Sequence, residues 1–336
     1  MNKFLKEILT NTGPKPLSNN RIFKKKEINR GLKINLHSFG SLNKNKIFYV
    51  IRRSPGAGLF SNVIYVLNHL KIANQHNFIP FVDMKNFFTI YNENNKVNKT
   101  LNAWEYYFNQ VSNYSIDEIY KSKKVIITNN NFYKDFSHNI SNKDYRKLAS
   151  KFFKINKKFI FYSNKFIKNN FEKKTLGIHY RGTSYKTSAN HPFPATKKQI
   201  LKYCEILIKK YDYKKIFLCT EDKYIFEELK KKFKEKICFL KNSYRSYHDD
   251  AFKKNERKNH RYNLGKEILI EALILSKCQG FLHAETNVSK FVKFIDNKKK
   301  IKYFYLKNGT NSSNEFIAKW LWYYKNFFPS FLGGFK

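Results

Sequence analysis

The sequence predicts an α/β protein built from two doubly wound, mainly parallel sheets. Three observations carry this. Short apolar runs of strand length recur along the chain, each followed by a polar loop and then a stretch of helical periodicity. The series occurs twice, with a junction near residue 170. The 336 residues are 42% hydrophobic and 18% aromatic, which is enough to bury large cores and unlike a disordered chain.

The elements follow in order. Residues 1–45 are polar, basic and weakly periodic, and read as an arm. Ile47–Ile51 is a continuous apolar run, as expected of a strand buried on both faces. After the loop Arg52–Gly58, a helix is expected over Phe60–Gln75, with Val63, Leu67 and Leu70 on one face. Strands are expected at Phe78–Met84 and Val125–Thr128. Helices are expected at Ala103–Val111 and across the lysine-rich stretch Asn142–Asn170. The second series has strands at Leu176–Tyr180, Ile216–Cys219, Ile237–Leu240, Gly280–His283 and Lys302–Leu306. Its helices lie at Thr196–Lys210, Tyr224–Phe233 and Gly265–Cys278, with a short one after Asn287. Ser312 and Glu315 have capping-box spacing, opening a last helix through about Tyr324. Strands alternating with helices give Rossmann-like units. The domain plan is an arm over 1–45, Rossmann-like domains over 46–170 and 171–310, and a tail helix over 311–336 that packs back across both.

Charge and cysteine content narrow the function classes. There are 66 Lys and Arg against 25 Asp and Glu, a net charge of +41. Such a balance attracts polyanions: nucleic acid, phosphate-bearing substrates or an anionic membrane. The joint richness in Lys, Asn, Ile, Phe and Tyr is also what AT-rich coding produces. The lysines are dispersed, and helix-turn-helix, zinc-finger and RNP patterns are missing. A basic nucleic-acid-binding protein is therefore the alternative from another class, and no nucleic-acid partner is expected. Cys204, Cys219, Cys238 and Cys278 are too scattered for a disulfide scaffold or a zinc site and read as buried thiols in a reducing compartment. No stretch approaches the roughly 18 apolar residues of a membrane span, and Met1–Leu17 lacks the apolar core of a signal peptide. The expected location is cytoplasmic, with a place at the inner membrane face open through the lysines and the aromatic tail Trp320–Phe335.

Ligands of open α/β sheets bind beyond the carboxyl ends of the strands, so the residues there are the candidates. Gly56, Gly58 and Asn62 lie in a strand-to-helix loop that could cradle an anion or simply turn. His179 and Arg181, with Gly182 and Thr183, close a strand. A guanidinium can fork across phosphate oxygens, while His179 could equally be a buried polar residue. Glu221 and Asp222 follow the next strand and could accept from ribose or guanine, or cap a helix. Glu271 sits among Leu269, Ile270, Leu273 and Ile274, where a carboxylate needs a partner. Thr286, Asn287 and Ser289 could bind phosphate at a helix start, or cap it.

Taken together these segments resemble the fucosyltransferase superfamily, which includes α1,6-, nodulation and protein O-fucosyltransferases. The likeness lies in His179-x-Arg181-Gly182-Thr183 with His191-Pro192 downstream, Phe217–Asp222, Leu269–Ser276, Phe281–Ser289, Gly56–Asn62 and Asn102–Phe108. It extends over about residues 47–306. The departures are Ser184, where many members carry Asp, and the lack of any carboxylate from His179 to Gln199. The resemblance implies a GT-B fold, two Rossmann-like halves facing across a cleft. It implies a metal-independent glycosyltransferase without a cofactor, moving a sugar, fucose by best reading, from a GDP-sugar to a glycan or lipid-linked glycan of a surface polysaccharide such as capsule or lipopolysaccharide. A donor carrying mannose or a heptose is the alternative. Arg181 would stabilise the departing diphosphate. Glu105 would be the base, with Asp83 and Glu285 as other choices, and Trp104 and Tyr106 would receive the acceptor.

Overall fold

The computed structural model describes residues 36–53, 57–128, 142–172, 174–296 and 300–335. The chain divides into two compact units. The first is Met1–Phe159 with Glu256–Lys266, and the second is Ile160–Asn255 with Glu267–Lys336. Most of the basic arm, and Gly56, lie outside the described residues.

The first unit contains β1 (Leu36–His37), β2 (Phe48–Ile51), α1 (Leu59–Gln75), β3 (Ile79–Val82), α2 (Ile116–Ile119), β4 (Val125–Ile127) and α3 (Asn142–Phe152). The sheet order is β1-β4-β2-β3. β2 runs parallel to both β3 and β4, and β1 is antiparallel to β4. Every residue of β2 is buried, as its unbroken apolar run requires. α1 turns Leu59, Val63, Val66, Leu70 and Ala73 inward at helical spacing.

The segment Ala103–Val111 is not the expected helix but a chain of turns. Trp104, Tyr106, Tyr107 and Phe108 are all buried, and a helix could not send four large rings from five successive residues into one core. Asn102 holds the turn instead. Its Oδ1 accepts from Met84 N (3.1 Å) and Trp104 N (3.2 Å), and its Nδ2 donates to Val82 O (2.8 Å). The helical stretch expected over 142–170 is likewise broken in two. Asn109 N donates to Lys154 O and Asn156 N donates to Tyr107 O, so the intervening backbone pairs with the aromatic turns and leaves the helix.

The second unit contains most of α4 (Lys157–Asn170), then β5 (Thr175–Tyr180), α5 (Lys197–Tyr211), β6 (Lys215–Thr220), α6 (Lys223–Phe233), β7 (Ile237–Cys238), α7 (His260–Leu275), β8 (Gly280–His283), α8 (Asn287–Ile295), β9 (Lys302–Tyr305) and α9 (Glu315–Phe327). The unit division falls after Phe159, within α4, and again after Lys266, within α7. Five strands pair in the order β7-β6-β5-β8-β9, every neighbour parallel. Leu176, Ile178, Ile216, Leu218 and Leu282 pack under Ile200, Cys204 and Leu207 of α5 and Ile225 and Leu229 of α6. α9 is capped by Asn314, not Ser312. Asn314 Oδ1 accepts from Phe316 N (2.9 Å) and Ile317 N (3.4 Å), while Ser312 Oγ accepts from Asn314 N and so shapes the approach.

Candidate functional site

In the second unit the direction of winding reverses between β5 and β8. Such a reversal, where the loops leaving the carboxyl ends diverge to opposite faces, is the usual ligand position in such sheets. Register places His179 beside His283 there, and Tyr180 beside Thr220.

Four donors from three successive residues converge on one oxygen at this edge. Glu221 Oε1 accepts from Gly182 N (3.0 Å), Thr183 N (3.3 Å) and Thr183 Oγ1 (3.2 Å), and Arg181 Nε lies 3.6 Å away. Such a fan of backbone amides around a negative oxygen is an anion nest. Arg181 also donates from Nη2 to Ser184 Oγ (3.0 Å), and its guanidinium lies 5.4 Å from the Tyr185 ring centre. Glycine is required at 182 by space. A β-carbon there would fall on Asp222 Oδ2 and on the Tyr180 ring, with Asp222 Cβ at 3.0 Å.

The two adjacent acids have different roles. Asp222 is buried, caps α6 by accepting from Ile225 N (3.0 Å), and pairs with Lys186 Nζ (2.9 Å). Glu221 organises the loop after β5. Thr286 and Ser289 form a full capping box on α8, each side chain accepting from the other's backbone N–H (3.1 and 3.0 Å). Asn287 is half-buried at the first position of that helix.

Two buried histidines and a buried glutamate also lie at these strands. His179 is pushed down to about 3, by burial first and by the Arg181 charge second, and is therefore neutral. Its Nδ1 lies 3.4 Å from Thr286 Oγ1. Burial likewise pushes His283 down to about 4. Its Nδ1 donates to Ala284 O (2.9 Å), which fixes Nε2 as the bare acceptor, and Nε2 is buried without a protein partner. Glu271 is pushed up to about 7, chiefly by burial, and accepts from Ser243 Oγ (2.7 Å) and Cys219 Sγ (3.1 Å). Cys204, Cys219, Cys238 and Cys278 are free thiols.

The candidates of the first unit are engaged in its own architecture. Gly58 caps α1, and Asn62, buried, accepts from Ala57 N (3.3 Å). Trp104 and Tyr106 are core rings. Trp104 packs at 4.5 Å on Phe108 and Tyr106 meets Tyr107 edge-on, so neither offers a face to an acceptor as expected from the sequence. Glu105 accepts from Thr100 Oγ1 (2.7 Å), Gln110 Nε2 (3.0 Å) and Asn102 Nδ2 (3.2 Å), which makes its carboxylate a clamp for the turns. Asp83 is buried and takes four donors, from Lys85, Asn86 (two) and Tyr120. Glu285 is exposed and pairs with Lys290 Nζ (3.4 Å). Sequence reasoning missed Ser243 and Lys186, polar loop residues with no spacing signal of their own, and noted Ser184 only as a departure from the family pattern.

No protein-family model matches the chain, and no curated protein is detectably similar in sequence. Solved structures do match. NodZ α-1,6-fucosyltransferase co-crystallised with GDP has a TM-score of 0.50 at 12% identity, over 74% of this chain and 92% of that one. The selenomethionine form of fucosyltransferase NodZ from Bradyrhizobium gives the same values. POFUT1 in complex with GDP-fucose has a TM-score of 0.46 at 11% identity, over 78% and 99% of the two chains. The likeness to NodZ is one of fold: the chain is a mixed α/β protein of the GT-B type, with a mainly parallel sheet in the first unit and a parallel one in the second.

Proposed function

We propose that the chain is a glycosyltransferase that uses a GDP-sugar donor, fucose being the favoured sugar, and delivers it to a glycan of a surface polysaccharide. The observation that carries the reading is the nest after β5, where Gly182, Thr183 and Arg181 direct four donors at one oxygen of Glu221, at the strand end where the winding of the sheet reverses. Its support is the fold shared with a structure that was crystallised with GDP.

Glu221 holds the loop in shape, and Arg181 is the reachable member of the set, with 39% of its side chain exposed. A β-phosphate oxygen of the donor takes over the N–H that Ser184 Oγ now accepts. The guanidinium then meets the charge that grows as the sugar–phosphate bond breaks. Removal of one such donor typically lowers turnover about 10²–10³-fold. Neutral His179, behind the loop, adds no positive charge to the nest and orients Thr286. Of the three carboxylates considered as base, Asp83 and Glu105 are saturated by local donors, and Glu285, exposed at the end of β8, is the one proposed to take the acceptor proton.

The test is a thermal-shift series with nucleotides followed by donor turnover. GDP and GDP-fucose are expected to raise the melting temperature and UDP and CMP to leave it unchanged. GDP-mannose and a GDP-heptose in the same series identify the sugar. Equal responses to GDP and UDP, or none to either, would contradict the proposal.

A further inference from the structure

The last helix is turned inside out for a globular protein. Amphipathic helices normally bury their apolar stripe and show polar residues to water. α9 buries Ala318 and Trp322, and Trp322 Nε1 donates to Pro194 O (3.2 Å) within the same unit. Its opposite face carries Phe316, Ile317, Trp320, Tyr323, Tyr324 and Phe327, at helical spacing and all exposed. Phe316, Trp320 and Phe327 are 73%, 64% and 72% exposed. The stripe continues past the helix end. Lys325 Nζ donates to Gly333 O (2.7 Å) and Tyr324 Oη to Leu332 O (3.2 Å), folding the chain back and leaving Phe331 83% exposed. These rings are held in place by a capped helix and a tied tail. A contiguous apolar face of this kind marks a contact surface.

We infer that this face docks the protein flat onto an anionic lipid bilayer. Charge complementarity identifies the occupant. Residues 301–336 hold five lysines against one glutamate, within a chain of net charge +41. Lys319 is exposed at the border of the stripe, and the stripe itself is rich in Trp, Tyr and Phe. Aromatic rings bordered by lysine suit the boundary between headgroups and acyl chains. The helix has 13 residues, about 20 Å at its rise per residue, against a hydrocarbon core of about 30 Å, so it lies in the interface and does not span. Among the described residues no helix is long and apolar enough to cross a membrane. A second copy of this chain, equally basic, would bring like charge against like charge around the stripe. The inference is independent of the sugar-transfer reading.

The full chain is tested for flotation with vesicles of phosphatidylcholine alone and with phosphatidylglycerol added, at low and high salt. Binding is expected only with the anionic lipid, with at least about tenfold loss in the double variant Trp320→Ser/Phe327→Ser. Both substitutions are on the exposed face, and the unfolding midpoint verifies that the fold is kept. A second readout needs no such variant. Acyl-chain-brominated lipid is expected to quench part of the tryptophan fluorescence, and Trp320→Phe to abolish that part. Unquenched fluorescence, or flotation unchanged in the double variant, would mean charge-only adsorption and overturn the inference. So would an absence of vesicle binding accompanied by a dimer that the double variant dissociates.

Discussion

The two units present the same construction at the point where their sheets change direction, and close it differently. In the first unit the change lies between β2 and β4, and Arg52 bridges it. Its Nε donates to Thr128 O (2.6 Å), its backbone N donates to Thr128 Oγ1 (3.1 Å), and its guanidinium covers Phe87 at 5.0 Å. The adjoining helix start is closed as well, with Leu59 N donating to Tyr91 Oη (2.8 Å). In the second unit the corresponding arginine, Arg181, joins a fan of donors around a carboxylate. Both loops follow a buried parallel strand with arginine and glycine. An arginine at a strand end is therefore an insufficient sign of anion binding. The distinguishing feature is convergence of several donors on one negatively charged point, here set by Glu221.

The largest expected effect breaks this comparison if it fails. Arg181→Ala should lower sugar transfer about 10²–10³-fold with the fold intact. Arg52→Ala should instead destabilise the first unit by about 1–3 kcal/mol, because Thr128 O loses a charged donor, and leave transfer within a few-fold of the parent. Steady-state kinetics alongside denaturant unfolding separate the two.

Next in size is the contrast between buried carboxylates. Asp83 in the first unit has four donors, and Glu271 in the second has two. Burial raises the Glu271 pKa from 4.5 to about 7, so the folded state holds an extra proton between those values. Its contribution is complete below about pH 4.5 and is lost as pH rises through 7, on the order of 3 kcal/mol. His179 and His283 act in the opposite sense. Both are lowered from 6.5, so their stability is present above pH 6.5 and lost as pH falls toward 4. Glu271→Gln should therefore gain stability over the parent at pH 8 and show only the acid-side loss of the histidines. Unfolding midpoints across pH check this, and parallel slopes for parent and variant would remove Glu271 from the account.

The smallest contrast is between the two loop glycines. A methyl at 182 collides with Asp222 and Tyr180, so Gly182→Ala should cost about 1–3 kcal/mol and weaken GDP binding about tenfold. A methyl at 58 meets none of the described residues within 4 Å, and Gly58→Ala should cost less than about 1 kcal/mol without changing nucleotide binding. Calorimetric melting and titration of both variants sharpen the difference between the loops.

The central parallel strands were legible because a strand buried on both faces carries an unbroken apolar run, as in Phe48–Ile51, whereas the edge strand Lys302–Tyr305 is partly exposed. The segment Ala103–Val111 was not, because its rings serve a core on several sides and its shape is set by Asn102 contacts distant in sequence. The break at residues 153–156 is invisible locally for the same reason: its backbone partners are at 107–109. At the site, Arg181, Gly182 and Thr183 could be found from their place after a strand. The division of labour between Glu221 and Asp222 could not, since both are acids in one loop and only packing decides which caps the helix.

Isothermal titration of GDP into the parent chain, Arg181→Ala and Arg52→Ala tests the anion nest most directly. The account expects the parent and Arg52→Ala to bind alike and Arg181→Ala to bind at least about tenfold more weakly, a difference of about 1.4 kcal/mol. Equal affinity in all three, or a loss confined to Arg52→Ala, would contradict it.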